Sequence, residues 1–297
     1  MFKKITIAAL MAAVSFAVSA QVVISGKGSV WADSTKTGSV TANTIYTEPT
    51  SNFAIKATEN LGGGAQARAV LETSIVGNTY YGVGTQLGDR QATVGVANKF
   101  GSVDFGRNVH SQFLAITNND AFGTLYGSVA GDVHNLRGLR LSNGVFASAV
   151  VVPGVSLTYD RSNRDGLSQV VDSASYGLNA KVGPLNATVA HFVDGVEKST
   201  VVGANATIGA TTLFYSHSDN EGVVAKKGDL VGVSHKIGAI TTKASYGKTN
   251  KDVTAYNVGV DYALSKRTEV GVAYRNVDAV ATVRDVKQIG VGLTHRF

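Results

Sequence analysis

The chain has 297 residues, with 27 Lys and Arg against 21 Asp and Glu, a formal net charge of +6, 44% hydrophobic residues, 34 Gly, 3 Pro and no Cys. The mild positive excess comes without a basic run, which excludes a nucleic-acid footprint, and the lack of Cys excludes a disulfide framework. Past the first twenty residues, no apolar run reaches the roughly 18 residues of a transmembrane helix, and Gly without Pro fits neither collagen nor a disordered Pro/Gly-rich chain.

Residues 1–20, MFKKITIAALMAAVSFAVSA, carry Lys3 and Lys4, an apolar core from Ile5 to Val18, and small residues before a cleavage point after Ala20. That pattern predicts a secretory signal peptide, leaving 21–297 as one unit with no domain boundary.

From Gln21 to Asp33 the chain alternates, though the two faces are poorly separated. A polar loop with Pro49 follows, then Phe53, Ile55 and Ala57 alternate with Ala54, Lys56 and Thr58 before the turn ENLGGGA. Residues 65–75 set Gln66, Arg68 and Glu72 against Ala67, Ala69 and Leu71, one charged face and one apolar. RQATVGVANKFGSVDFGRN predicts two strands around a turn at Asn98 to Gly101, with Arg90 on the face of Ala92, Val94 and Val96. That face is small enough to suggest packing against another subunit.

His110 to Leu139 shows neither period 2 nor a helical period and reads as one long ordered loop. Loops of that length usually carry function. Arg90 and Arg107 precede it, Arg137 and Arg140 follow, and Asp120 and Asp132 lie within it. This arrangement predicts a loop folded into a β-barrel, narrowing a water-filled channel with charges of both signs. Asp120 and Asp132 can equally cap turns, and Lys56, Arg68, Arg107 and Arg137 line the pore only if the register turns them inward.

Alternation then resumes to the end, bringing the expected count to sixteen strands. Short turns such as GP at Gly183 and Pro184 alternate with longer polar loops, the asymmetry of outer-membrane barrels. In the last strand, Ile289, Val291, Leu293, His295 and Phe297 share one face, with Phe297 placed for the membrane interface and for barrel closure. Only a closed barrel satisfies every backbone group in lipid, so the last strand is expected to pair with the first.

No nucleotide loop, G-x-S-x-G elbow or HExxH is present, and the six His lack metal spacing, so neither an enzyme, a cofactor nor a metal is expected. A barrel phospholipase and a surface adhesin are the alternatives, since neither needs a local motif.

SNFAIKATENLGGGAQARAVLE, DRQATVGVANKFGSVDFGRN, VDYALSKRTEVGVAY and GVGLTHRF resemble, in order and spacing, landmarks of the Gram-negative trimeric general porins, β-proteobacterial branch. The resemblance implies an all-β, 16-stranded antiparallel transmembrane barrel, a homotrimer, and a third external loop folded into the pore opposite basic wall residues. Arg90 and Arg140 match the family's basic positions, and Glu72 matches an acidic partner. Asn52 stands where the family often carries a wall arginine, which weakens anion selectivity, and Lys56 matches a further basic position. The expected protein is an outer-membrane porin passing small hydrophilic solutes and ions, with a weak anion preference as a secondary expectation. Its partners are its own copies, outer-membrane lipid and lipopolysaccharide.

Overall fold

The computed structural model describes residues 20–75, 86–134, 136, 139–163, 172–222, 226–279 and 285–297. The expected signal segment therefore lies outside the described residues apart from Ala20, as does Arg137.

One antiparallel sheet accounts for nearly all of the described chain. Its strands are β1 (Gln21–Thr37), β2 (Val40–Thr47), β3 (Asn52–Gly62), β4 (Ala65–Ser74), β5 (Gln91–Asn98) and β6 (Gly101–Val109). After a non-strand segment come β7 (Arg140–Val152), β8 (Val155–Ser162), β9 (Ser173–Val182), β10 (Leu185–Asp194), β11 (Glu197–Ile208) and β12 (Thr211–Glu221). The chain ends with β13 (Lys226–Ile237), β14 (Ile240–Thr249), β15 (Val253–Ala263), β16 (Thr268–Ala279) and β17 (Val286–Arg296).

Residues 40–47, expected as loop, are a strand. β2 pairs with the second half of β1, from Val30↔Thr47 to Thr37↔Val40, and β3 pairs with the first half, from Gln21↔Thr58 to Lys27↔Asn52. β2 and β3 are thus one stave interrupted at Glu48 to Ser51, where Pro49 has no N–H for a ladder. Counted this way, the 17 strands make a 16-strand barrel. It closes where β1 meets β17, Lys27↔Arg296 through Thr37↔Val286. Phe297 adds a reciprocal backbone pair with Gly26, 3.0 Å in each direction, and its ring covers Gly26 so closely that a Cβ there would collide with it.

The alternation has a direct physical reading. In β17, Ile289, Val291 and Leu293 are exposed, while Gly290, Gly292 and Thr294 between them are buried. Val94, Phe105, Leu157, Val202, Leu213 and Val258 share that outward exposure on other strands. Ser175, Ser199, Ser216 and Asn257 are buried on the inner side. An apolar exterior around a polar interior is what a membrane-spanning barrel requires. Outward tyrosines on β8 to β15 such as Tyr159, Tyr176, Tyr246 and Tyr256 lie in the strand halves away from the short turns, Tyr159 and Tyr176 with centroids 5.3 Å apart, while Tyr262 sits beside a short turn; these are the levels at which aromatic belts sit. Those turns are tight, as at Gly183 and Gly209 with φ of 56° and 60°.

Candidate functional site in the barrel interior

The segment between β6 and β7 is not a plain loop. It contains two short helices, α1 (Ser111–Thr117) and α2 (Ala130–Val133). α1 buries Ser111, Gln112, Ala115 and Ile116 against β8 to β11. Its start is anchored by polar bonds: Ser111 N–H donates to Asp160 Oδ2 (2.6 Å), Gln112 N–H to Ser175 Oγ (3.1 Å) and Gln112 Nε2 to Ser199 Oγ (2.9 Å). Phe113, Leu114 and Thr117 lie on the less buried side.

Beyond α1 the chain turns at Asp120, whose carboxylate accepts from Phe122 N–H (3.2 Å), Thr124 N–H (2.8 Å) and Ser128 Oγ (2.6 Å). The turn-capping role weighed from sequence is the one Asp120 takes. At the tip, Tyr126 stacks on Trp31 of β1, and its N–H donates to Glu48 Oε1 (2.8 Å). Burial pushes the Tyr126 phenol above its ordinary range, and the Asp33 carboxylate adds to the shift. Asn257 Nδ2 donates to the Gly127 carbonyl (2.6 Å).

The return arm carries Asp132, which pairs with Arg275 of β16 (3.0 Å), while Lys226 Nζ donates to the Asp132 carbonyl (2.9 Å). Burial raises the Asp132 carboxyl, opposed by Arg275 and then Lys226. His134 follows, fully buried, its Nδ1 and Nε2 bonded to Ser218 Oγ (2.8 Å) and Ser216 Oγ (2.9 Å). Burial pushes its pKa down to about 3.

Glycines on the inner face make room for this path. A Cβ on Gly203 would strike Asn119, and one on Gly259 would strike Phe122. Added to Gly228 or Gly247 it would strike Val133, and to Gly290, Tyr126. The alternate glycines of the C-terminal strands thus form a track in which the segment lies. Glycine here serves close approach.

Of the basic residues named from sequence, Lys56, Arg68, Arg90, Arg107 and Arg140 lie along β3 to β7, and Arg137 lies outside the described residues. Arg90 and Glu72 form an ion pair, Asn52 Nδ2 donates to Glu72 Oε1 (2.9 Å), and Arg90 Nη1 reaches the Pro49 carbonyl (2.9 Å). Arg90 sits one residue before β5, so the pleat does not carry its side chain outward with Val94 and Val96 as the sequence pattern implied. Arg107 Nε donates to the Asp89 carbonyl (2.7 Å) and its Nη1 to Ser142 Oγ. Arg140 has Arg90, Glu72, Arg107 and Asp89 as charged neighbours, and its Nε is buried without a hydrogen-bond partner. Neither Arg107 nor Arg140 has a carboxylate within an ion-pair distance among the described residues. Arg68 is paired with Asp104, Nε to Oδ1 at 2.7 Å, and Lys56 is exposed.

The expectation of loop carboxylates facing wall arginines thus meets a different arrangement. Asp120 serves its own turn, Asp132 pairs with Arg275 of β16, and the acidic partners of Arg90 and Arg68 are Glu72 on β4 and Asp104 on β6. Sequence reasoning missed Lys27, paired with Glu48 at 3.2 Å, and Lys243, paired with Asp261 at 2.6 Å with its ammonium 5.6 Å from the Phe122 ring centroid. It also missed Arg275. Their only signal was inward parity, which is readable once the register is known.

Comparison with known proteins agrees with this architecture. The sequence model described as Gram-negative porin matches residues 6–295. Among solved structures, an anion-selective porin from Comamonas acidovorans superposes with a TM-score of 0.80 at 18% identity, covering 94% of this chain and 100% of that one. OmpF of Salmonella typhi, solved with daunomycin, gives 0.76 at 16%, covering 93% and 97%. A loop L8 deletion mutant of OmpT from Vibrio cholerae gives 0.75 at 14%, covering 94% and 100%. Comparison with curated proteins returned no match. Structural likeness at these identities speaks for the barrel, and the sequence match over nearly the whole length for the lineage: the chain belongs to the Gram-negative porin family.

Proposed function

We propose that the protein is a passive diffusion channel of the outer membrane, exported on its N-terminal signal segment. Small hydrophilic solutes and ions move down their own gradients through it, and an anion preference comes from the β3 to β7 wall. The observation that carries this reading is the pairing of a closed barrel with a one-sided interior. The 110–134 segment packs on the inner faces of β8 to β17 and on Trp31, leaving the wall of Arg68, Arg90, Arg107 and Arg140 across from it. In this reading the segment is the constriction, and Arg107 and Arg140, neither of them ion-paired with a carboxylate among the described residues, supply the field that admits anions. A porin among its structural neighbours is itself anion-selective.

The working assembly is a homotrimer. The tyrosine belt lies on β8 to β16, while β3 to β6 present Ile55, Ala57, Ala69, Leu71, Val94 and Phe105 around an apolar concavity of about 430 Å³. An apolar face without outward Tyr or Trp among the described residues suits a subunit contact better than a lipid boundary. A structural neighbour is described in trimer form. Nothing in the interior recommends a phospholipase or adhesin over a channel.

Planar-bilayer recording of the purified protein tests the reading. Stepwise conductance increments, grouped in threes, are expected. A folded, inserted barrel that passes no current would overturn it.

A further inference from the structure

This inference rests on the channel reading above and concerns what passes through. Beside the C-terminal end of α1, against the inner wall of β7 to β11, lies a cavity of about 610 Å³. Asn179, Asn186 and Asn205, from three neighbouring strands, line it together with Asn118 and Lys181. The volume is that of a small-molecule site.

The amides are held in fixed orientations. Asn186 Nδ2 donates to Asn205 Oδ1 (2.9 Å), and Thr188 Oγ1 donates to Asn179 Oδ1 (3.1 Å). Asn205 Nδ2 donates to the Asn118 carbonyl (3.1 Å) and to Asn119 Oδ1 (3.0 Å). This leaves Asn179 Nδ2 as a donor, Asn186 Oδ1 as an acceptor, and the Asn118 amide and Ser156 hydroxyl as both, none bonded among the described residues. Lys181 supplies a single ammonium, and no carboxylate lines the cavity.

That set is selective in a definable way. A bare anion accepts hydrogen bonds only and leaves Asn186 Oδ1 unmatched. A neutral polyol matches donors and acceptors alike but leaves the Lys181 charge unused. Lys181 and Asn179 are two residues apart on one face of β9, about 7 Å along the strand, a span that one sugar ring bridges. We infer that this cavity is a transit subsite for a small polyhydroxylated solute bearing one carboxylate, the chemistry of a hexuronate. The wall arginines draw the anion in, and the asparagine cluster recognises its hydroxyls.

The test is single-channel recording in planar bilayers with glucuronate, glucose or acetate added to the salt. Stepwise current without solute establishes the channel; its absence overturns the channel reading and this inference with it. Given channels, glucuronate is expected to interrupt the current, with glucose and acetate each about tenfold weaker, the worth of one hydrogen bond to a charged group. Lys181→Met is expected to reduce the glucuronate block to the level of glucose, and Asn179→Leu to weaken it about tenfold. Working channels that respond equally to all three solutes overturn the subsite alone. So does a glucuronate block that survives both substitutions at wild-type strength.

Discussion

Tyr126 lies flat on Trp31, ring centroids 3.8 Å apart and planes 11° apart, so the tip of the 110–134 segment is fastened to the first stave of the barrel. The stack is a local latch on a segment otherwise held by polar bonds and by the apolar packing of Ala115, Ile116, Val129 and Val133 against the barrel wall. Offset aromatic pairs contribute ~0.5–1.5 kcal/mol beyond the area they bury. Trp31→Ala is therefore expected to loosen the tip without unfolding the barrel. Unit conductance and open-channel noise should both rise, while thermal unfolding of the barrel should shift little. A drop in barrel stability with unchanged conductance would show that the stack supports the wall and not the segment.

The glycine track makes a second prediction. Gly203→Val places a side chain where Asn119 sits, and Gly259→Val one where Phe122 sits, so both should displace the segment and alter conductance. Overpacking of this kind costs about 1–3 kcal/mol. Gly28, with nothing within 4 Å of an added Cβ, is the control. Its substitution by Ala should leave conductance alone, as measured in the same recordings.

The ion pairs on the basic wall predict opposite changes in selectivity. Glu72→Gln removes the partner of Arg90 and should make the reversal potential more anion-selective. Arg68→Gln uncovers Asp104 and should make it less so, and Arg68→Gln with Asp104→Asn should restore the starting value. Failure of the double substitution to restore it would mean that the pair does not face the permeation path.

His134 gives the pH dependence. Burial lowers its docked pKa from 6.5 to about 3, so released His134 binds a proton over a range in which docked His134 does not. Docking of the return arm is thus at full strength above pH 6.5 and weakens as pH falls toward 3. Asp132, raised by burial above 3.8, works in the opposite direction, and Lys226, Asp229 and His217 also act on His134. His134→Gln keeps hydrogen-bonding capacity without titrating. Channel noise should increase on acidification in the wild type and remain flatter in the variant. Equal acid responses in the two would rule His134 out as the source.

Much of the barrel was legible because a two-residue period needs only the order of apolar and polar side chains, as in Ile289, Gly290, Val291, Gly292 and Leu293. β2 escaped because VTANTIYT is half polar and runs into Pro49, which reads as loop until pairing with β1 is known. α1 escaped for the opposite reason. Phe113 and Leu114 on its open side are as apolar as Ala115 and Ile116 on its packed side, so no helical period stands out. The basic wall could be nominated from its residues, but the partners of the charges could not. Asp132 and Arg275 are 143 positions apart, and only the closed barrel brings them together.

The central claim is a channel in which Arg107 and Arg140, not ion-paired with a carboxylate among the described residues, set a preference for anions. The most direct measurement is the reversal potential of the reconstituted protein under a salt gradient, wild type against Arg107→Ala with Arg140→Ala. The account predicts an anion-selective potential in the wild type that moves toward zero in the double variant while stepwise conductance persists. A cation-selective wild type, or an anion-selective potential unmoved by loss of both arginines, would contradict it.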